Sequence, residues 1–217
     1  YNKGLKFVKN KYYALLNTDL IVTENWLNPI IQKLESDSEI GVIQPHILDY
    51  NKKKYFEYAG AAGGYIDKYG FPYCRGRLLN TIEVDEGQYN LPKQIFWASG
   101  ACFVIRSKIF WKFNGFDGDF FAHQEEIDLC WRIFNQNYKI YALGESKVFH
   151  IGGVTLPKSA NKTYLNHRNS LFMLMKNLPA KHKFSILLSR ILINAAIALY
   201  YLFSLRLLNL ISILRAH

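Results

Sequence analysis

The sequence predicts a layered α/β fold on a mostly parallel sheet. Short apolar runs bounded by polar turns alternate with segments whose apolar residues recur at helical spacing. The clearest run, Tyr12 to Leu16, is continuously apolar, as expected of a strand covered on both faces. Half of the 217 residues are hydrophobic, enough for one substantial core.

The elements follow in order. Leu5 and Val8 share a helical spacing, so the chain opens on the last turns of a helix feeding the strand at 12–16. Thr23 is a candidate cap for a helix reaching about Ser36, with Trp26, Ile30, Ile31 and Leu34 as its apolar stripe. Pro29 inside it implies a late start or a kink. Gly41 to Leu48 is a second strand. Residues 49–93 form a long irregular excursion containing AGAAGG at 59–64, and such loops tend to carry function. Gln94 to Arg106 reads as a strand broken near Ser99-Gly100. Ser107 caps a short helix through Phe113, ended by Asn114-Gly115. A helix at about 124–137 and a strand from Lys139 to His150 follow, then Gly152-Gly153. Helices are expected at 160–177 and 184–214.

Composition excludes a disordered chain, a collagen and a disulfide scaffold. Cys74, Cys102 and Cys130 are odd in number and form no CxxC pair, which fits free, buried thiols. The net charge of +10 is uneven. From 151 to 217 there are nine Lys and Arg and no acid, whereas residues 1–150 hold 18 basic and 17 acidic residues. That basic third also holds the longest apolar stretch, Phe184 to Leu214. The pairing fits an anionic membrane surface better than nucleic acid. Between Arg190 and Arg206 lie fifteen uncharged residues. A helix of that length covers about 22 Å, short of a ~30 Å hydrocarbon core unless the arginines snorkel outward. An in-plane or shallowly inserted helix is the expectation.

Three places offer chemistry. Asn17-Thr18-Asp19 ends a buried strand, where open sheets bind ligands, and a carboxylate there can hold Mg²⁺ or Mn²⁺. The alternative is an ordinary polar turn. His150 can complete a metal site with Asp19 or serve as a hydrogen-bonded structural residue. On the helix at 124–137, Ile127, Cys130, Trp131 and Phe134 make the buried face, and Asp128 can pair with Arg132. Glu126 borders that face and can point into a cleft as a general base. It can equally belong, with Glu125, to an acidic first turn that complements the helix dipole. No GxGxxG, P-loop, HExxH or CxxC pair is present.

LLNTD, FWASGACFVIRS, GFDGDFFAHQEEIDLCWR and VFHIGG, in that order, resemble glycosyltransferase family 2, more narrowly its bacterial rhamnosyltransferase-like branch. The resemblance covers about residues 1–175. It implies a GT-A fold (Rossmann-like) and inverting transfer from a nucleotide-sugar to a saccharide or lipid-linked acceptor. Asn17-Thr18-Asp19 takes the place of the family's DxD motif, with Asp19 on the metal and Asn17 replacing the first Asp. Glu125-Glu126 occupies the ED motif, making Glu126 the catalytic base, here Glu instead of Asp. Ser99, Gly100 and Ala101 match the segment lining the sugar and acceptor region. Glu125, Asp128, Trp131 and Arg132 fall in the same substrate-binding stretch, and His150 matches a histidine approaching metal or diphosphate. YLNHRN at 164–169 resembles a segment common after this domain.

The chain begins at what resembles the family's GGYNxG helix, so the N-terminal nucleotide-binding βαβ segment is expected to be missing. The expected division is a partial catalytic domain at 1–178 and a basic, apolar, membrane-associating segment at 179–217. The expected location is the cytoplasmic face of an inner membrane, in cell-surface polysaccharide synthesis. The rival readings are a processive synthase, which lacks support because no QxxRW follows the base, a donor-deficient binding module, and a metal-dependent hydrolase using Asp19, Glu126 and His150.

Overall fold

The computed structural model describes residues 1–152 and 160–217. Gly153, the second glycine of the expected pair, lies outside the described residues. The chain forms two compact units. The first comprises Tyr1–Tyr65, Pro72–Asp117 and the residues from Glu126 to Gly152. The second comprises Ile66–Phe71, Gly118–Glu125 and residues 160–217.

In the first unit a short helix, α1 (Asn2–Leu5), precedes strands β1 (Tyr12–Leu16) and β2 (Leu20–Val22). Helix α2 (Leu27–Ser36) leads to β3 (Ile40–Asp49). The excursion that follows carries only short strands: β4 (Gly64–Ile66), β5 (Pro72–Cys74), β6 (Arg77–Leu78) and β7 (Thr81–Ile82). Then come β8 (Lys93–Ile95), β9 (Cys102–Arg106), α3 (Ser107–Lys112), α4 (Glu125–Phe134) and β10 (Lys139–His150). The central sheet runs β1-β9-β3-β10-β2, with β8 also on β10.

The sheet is not mostly parallel. Only β3 and β10 pair in parallel, while β1–β9, β3–β9, β10–β2 and β10–β8 are antiparallel. A continuous apolar run reports burial on both faces, not strand direction. Strand β9 is reached through the irregular excursion and not through a crossover helix, so nothing forces it to run parallel to its neighbours.

Helix α2 begins four residues after Thr23, which puts Pro29 in its first turn, where the missing N–H costs nothing. Thr23 is no cap: its hydroxyl donates to the Lys147 carbonyl at 2.7 Å. Ile30 and Leu34 of α2 pack on Ile40, Ile43, Val104 and Leu143 in one fully buried cluster. Lys112 ends α3 because Asn114 and Gly115 both take left-handed backbone, φ 59° and 64°. The Ser107 hydroxyl donates to the Lys11 carbonyl instead of capping that helix. All three cysteines are free and buried, and burial pushes the Cys102 and Cys130 thiols up to about 12.

The second unit is helical: α5 (Ala160–Asn177), α6 (Ala180–Phe203) and α7 (Leu207–Ala216). The expected single helix at 184–214 is broken at Leu205, φ 56°. Its neighbours Ser204 and Arg206 return their N–H groups to the Tyr200 and Tyr201 carbonyls, which closes α6.

Candidate active site

Antiparallel pairing of β2 with the end of β10 creates the first cluster. Leu20 faces His150 in register, and the Ile151 N–H donates to the Asp19 carbonyl at 3.0 Å. This brings the Asp19 carboxylate to His150: Oδ1 lies 3.1 Å from Nε2. On the other side of the ring, Glu57 Oε1 lies 3.5 Å from Nδ1. Burial alone would lower the His150 pKa, but the Glu57 and Asp19 carboxylates outweigh it and the net shift is upward. Both ring nitrogens therefore face a carboxylate.

The second cluster is the turn between β8 and β9. Ser99 is buried, and its N–H donates to Gln44 Oε1 at 2.7 Å. Its hydroxyl donates to the Ala59 carbonyl at 2.8 Å. Gln44 in turn donates to the Gly60 and Ala61 carbonyls at 2.8 and 3.2 Å. Gly60 has φ +105°, and a Cβ there would sit 2.3 Å from that of Ser99, so this approach requires glycine. The AGAAGG segment thus serves as the backbone on which Ser99 rests.

Gly100 joins this turn to Glu126. A Cβ at Gly100 would meet Glu126 Cδ at 3.4 Å and Cγ at 3.5 Å, so the half-buried Glu126 side chain lies over it. The next residue, Ala101, accepts the Asn17 N–H at 2.9 Å, and Leu16 faces Cys102 in register. The β1 end carrying Asn17, the 99–101 turn with Glu126 over it, and the β2–β10 end carrying Asp19 and His150 therefore share one edge of the sheet. It is the edge beyond the carboxyl ends of β1, β3 and β10, where open α/β sheets bind ligands.

Three residues of the expected substrate-binding stretch make contacts in the interior. Asp128 is 0% exposed and pairs with Arg132 at 2.8 Å. Arg132 also donates to the carbonyls of Phe113 and, at 2.9 Å, Gly115, closing the end of α3. Trp131 is buried with its ring edge-on to Phe96. Helical periodicity puts Trp131 on the buried face and Asp128 beside Arg132, and both are found so; their substrate-site role is implied by the resemblance alone.

In the second unit, a single 3₁₀ turn at Gly118–Phe120 leads into residues 121–125, which run covalently into Glu126. Phe121, His123 and Gln124 all adopt left-handed backbone, φ 62°, 70° and 69°, a state that costs non-glycine residues roughly 1 kcal/mol or more each. One buried side chain holds it: Asn169 Nδ2 lies 3.0, 2.8 and 2.7 Å from the carbonyls of Phe120, Ala122 and His123. Arg168 adds bonds to the Asp119 and Phe120 carbonyls. Glu125 closes the segment, and burial raises its carboxyl above the ordinary value.

Sequence reasoning missed Gln44, Glu57 and Asn169. Gln44, like His46, is a polar residue inside a mostly apolar strand, a signal that was there to be read. Glu57 sits in the irregular excursion, where nothing marks it.

The sequence model of Glycosyl transferase family 2 matches residues 1–113. No curated protein matches the chain. Among solved structures, GalNAc-T7 with UDP, GalNAc and Mn²⁺ is similar at TM-score 0.54 and 14% identity, over 87% of this chain and 40% of that one. The mannosyltransferase PcManGT from Pyrobaculum calidifontis, in complex with GDP-Man and Mn²⁺, is similar at TM-score 0.50 and 11% identity, over 99% of this chain and 51% of that one. The chain thus spans about half, or less, of the length of these relatives, and the likeness identifies the fold as GT-A. With over half its length matched, the chain belongs to glycosyl transferase family 2.

Proposed function

We propose that the chain transfers a sugar, with inversion, from a nucleotide-sugar to a saccharide or lipid-linked acceptor, in the rhamnosyltransferase-like branch and in cell-surface polysaccharide synthesis. The observation that carries this reading is the shared sheet edge: a carboxylate–imidazole pair, Asp19 and His150, at one end and Glu126 over Gly100 at the other.

The two solved relatives were obtained with Mn²⁺ and a nucleotide or nucleotide-sugar, and a divalent cation, Mg²⁺ or Mn²⁺, belongs to the proposal. Asp19 and His150 fit one as an oxygen and a nitrogen donor, with Glu57 orienting the imidazole. Among the described residues no group of three His, Cys, Asp or Glu is arranged as a complete metal site. Two protein donors suit an ion that shares its remaining positions with phosphate oxygens and water. When bound, the ion would neutralise charge on the departing diphosphate.

Glu126 takes the proton of the acceptor hydroxyl. The acceptor oxygen bonds to the anomeric carbon from the face opposite the diphosphate as the carbon–phosphate-oxygen bond breaks, so the configuration inverts. The 99–101 turn, fixed by Gln44 and Ala59, forms the floor beneath that base.

Transfer by the full chain, followed by mass spectrometry over UDP-, GDP- and dTDP-sugars, tests the reading. Glu126→Gln should retain donor binding and lose about 10²–10⁴ in rate. Undiminished transfer by Glu126→Gln would reject the base.

A further inference from the structure

Helix α6 is built inside out. Its interior positions, at steps of four, are Arg190, Asn194 and Ala198, at 2%, 0% and 8% exposure. Arg190 donates to the Ser170 hydroxyl of α5 and lies 3.5 Å over the Phe71 ring. Asn194 bonds His217 at 3.0 Å. The large apolar side chains point the other way: Phe184, Leu188, Leu192, Leu199 and Phe203 are all exposed, Phe203 at 82%. The outward snorkelling that would have lengthened the helix's reach is not seen at Arg190, because its guanidinium is held inside the unit. Among the described residues α6 is the one helix long and apolar enough to cross a membrane by length and composition.

A continuous exposed apolar stripe of this kind marks a surface that is covered in use. The charge around it says by what. The segment from 151 to 217 carries nine Lys and Arg and no acid, with Lys181 and Lys183 at the start of α6 and Arg206 just beyond its end. An apolar face on a segment whose only charged side chains are cations is complementary to anionic headgroups over acyl chains. For a second copy of the same chain, these cations would set like charges against each other.

We propose that the outer face of α6 docks in the plane of an anionic lipid bilayer, with Phe184, Leu188, Leu192, Leu199 and Phe203 in the acyl region. The docking is one-sided. The inner face of α6 is occupied by Ser170 of α5 and His217 after α7, so lipid does not surround the helix. This proposal stands independently of the sugar-transfer reading.

The test is flotation of the full chain with vesicles of phosphatidylcholine alone or with about one-third phosphatidylglycerol. The wild type should float with the anionic vesicles, weaken as salt rises, and bind neutral vesicles far less. Leu192→Asp combined with Leu199→Asp should cut partition about tenfold or more. These side chains are exposed, so the circular dichroism spectrum should be unchanged. Leu91→Ser, an exposed apolar residue of the first unit, should leave partition intact. Equal partition of wild type and the double variant would overturn the proposal. So would the absence of vesicle binding together with a wild-type dimer in solution that the double variant dissolves.

Discussion

The two units differ most in what they leave outside. In the first, Ile30, Leu34, Ile43 and Val104 are fully enclosed, with a few polar groups such as Gln44, His46 and Asp128 buried among them. In the second, Leu165, Met173, Leu174 and Ile213 are enclosed together with Asn169, Ser170, Arg190, Asn194 and Ser212, and a row of Leu and Phe on α6 is left outside. Both units are rich in apolar residues, so composition does not separate them. The direction in which the apolar residues point does. Both units bury apolar side chains away from water, and the second adds buried hydrogen bonds on α6 and leaves an apolar row of that helix exposed.

The contrast can be broken most easily by truncation. Leu34→Ala in the first unit removes a side chain with no exposure and should cost about 2–5 kcal/mol in denaturant unfolding. Leu192→Ala in the second, 63% exposed, should change stability in water by no more than about 0.5 kcal/mol. Comparable costs at the two sites would erase the distinction.

A second handle is pH. Burial pushes His46 in β3 down to about 4, where Asp85 pulls its pKa up and Arg75 and Lys147 push it down. The unfolded imidazole binds a proton below about 6.5 and the folded one does not until about 4, so stability falls as pH drops through that window. The expected loss is on the order of 3 kcal/mol, and His46→Phe should flatten that part of the profile. An unchanged slope in His46→Phe would assign the acid sensitivity elsewhere.

A smaller effect is expected at the clamp of the second unit. Asn169→Ala removes three contacts to buried carbonyls, costs about 1–3 kcal/mol, and should speed amide exchange in residues 119–125 first. Uniform acceleration across the chain would instead mean that Asn169 supports the whole unit.

Much of this was legible in the residues. The strands at 12–16 and 139–150 and the helix at 160–177 fall where periodicity and punctuation put them, because each is bounded by polar or glycine-bearing turns. Strand direction was not legible, because β9 and β3 have the same apolar pattern whichever way they run. The break at Leu205 carries no glycine or proline, so apolar periodicity ran straight through it. At the candidate site, Asp19, His150, the 99–101 turn and Glu126 could be named from spacing and resemblance. Glu57 could not, and Asn169 stood out only as the end of YLNHRN with no role attached, since both roles exist only after distant segments meet.

The account rests on Asp19 and Glu126 serving one site. Paramagnetic relaxation by Mn²⁺, added with UDP or GDP to isotope-labelled chain, reads that directly from backbone amide signals. The account predicts broadening at Ile151 and the 99–101 turn and at Glu126, all of it abolished by Asp19→Ala. Broadening that spares Gly100 and Glu126, or that persists in Asp19→Ala, would contradict it.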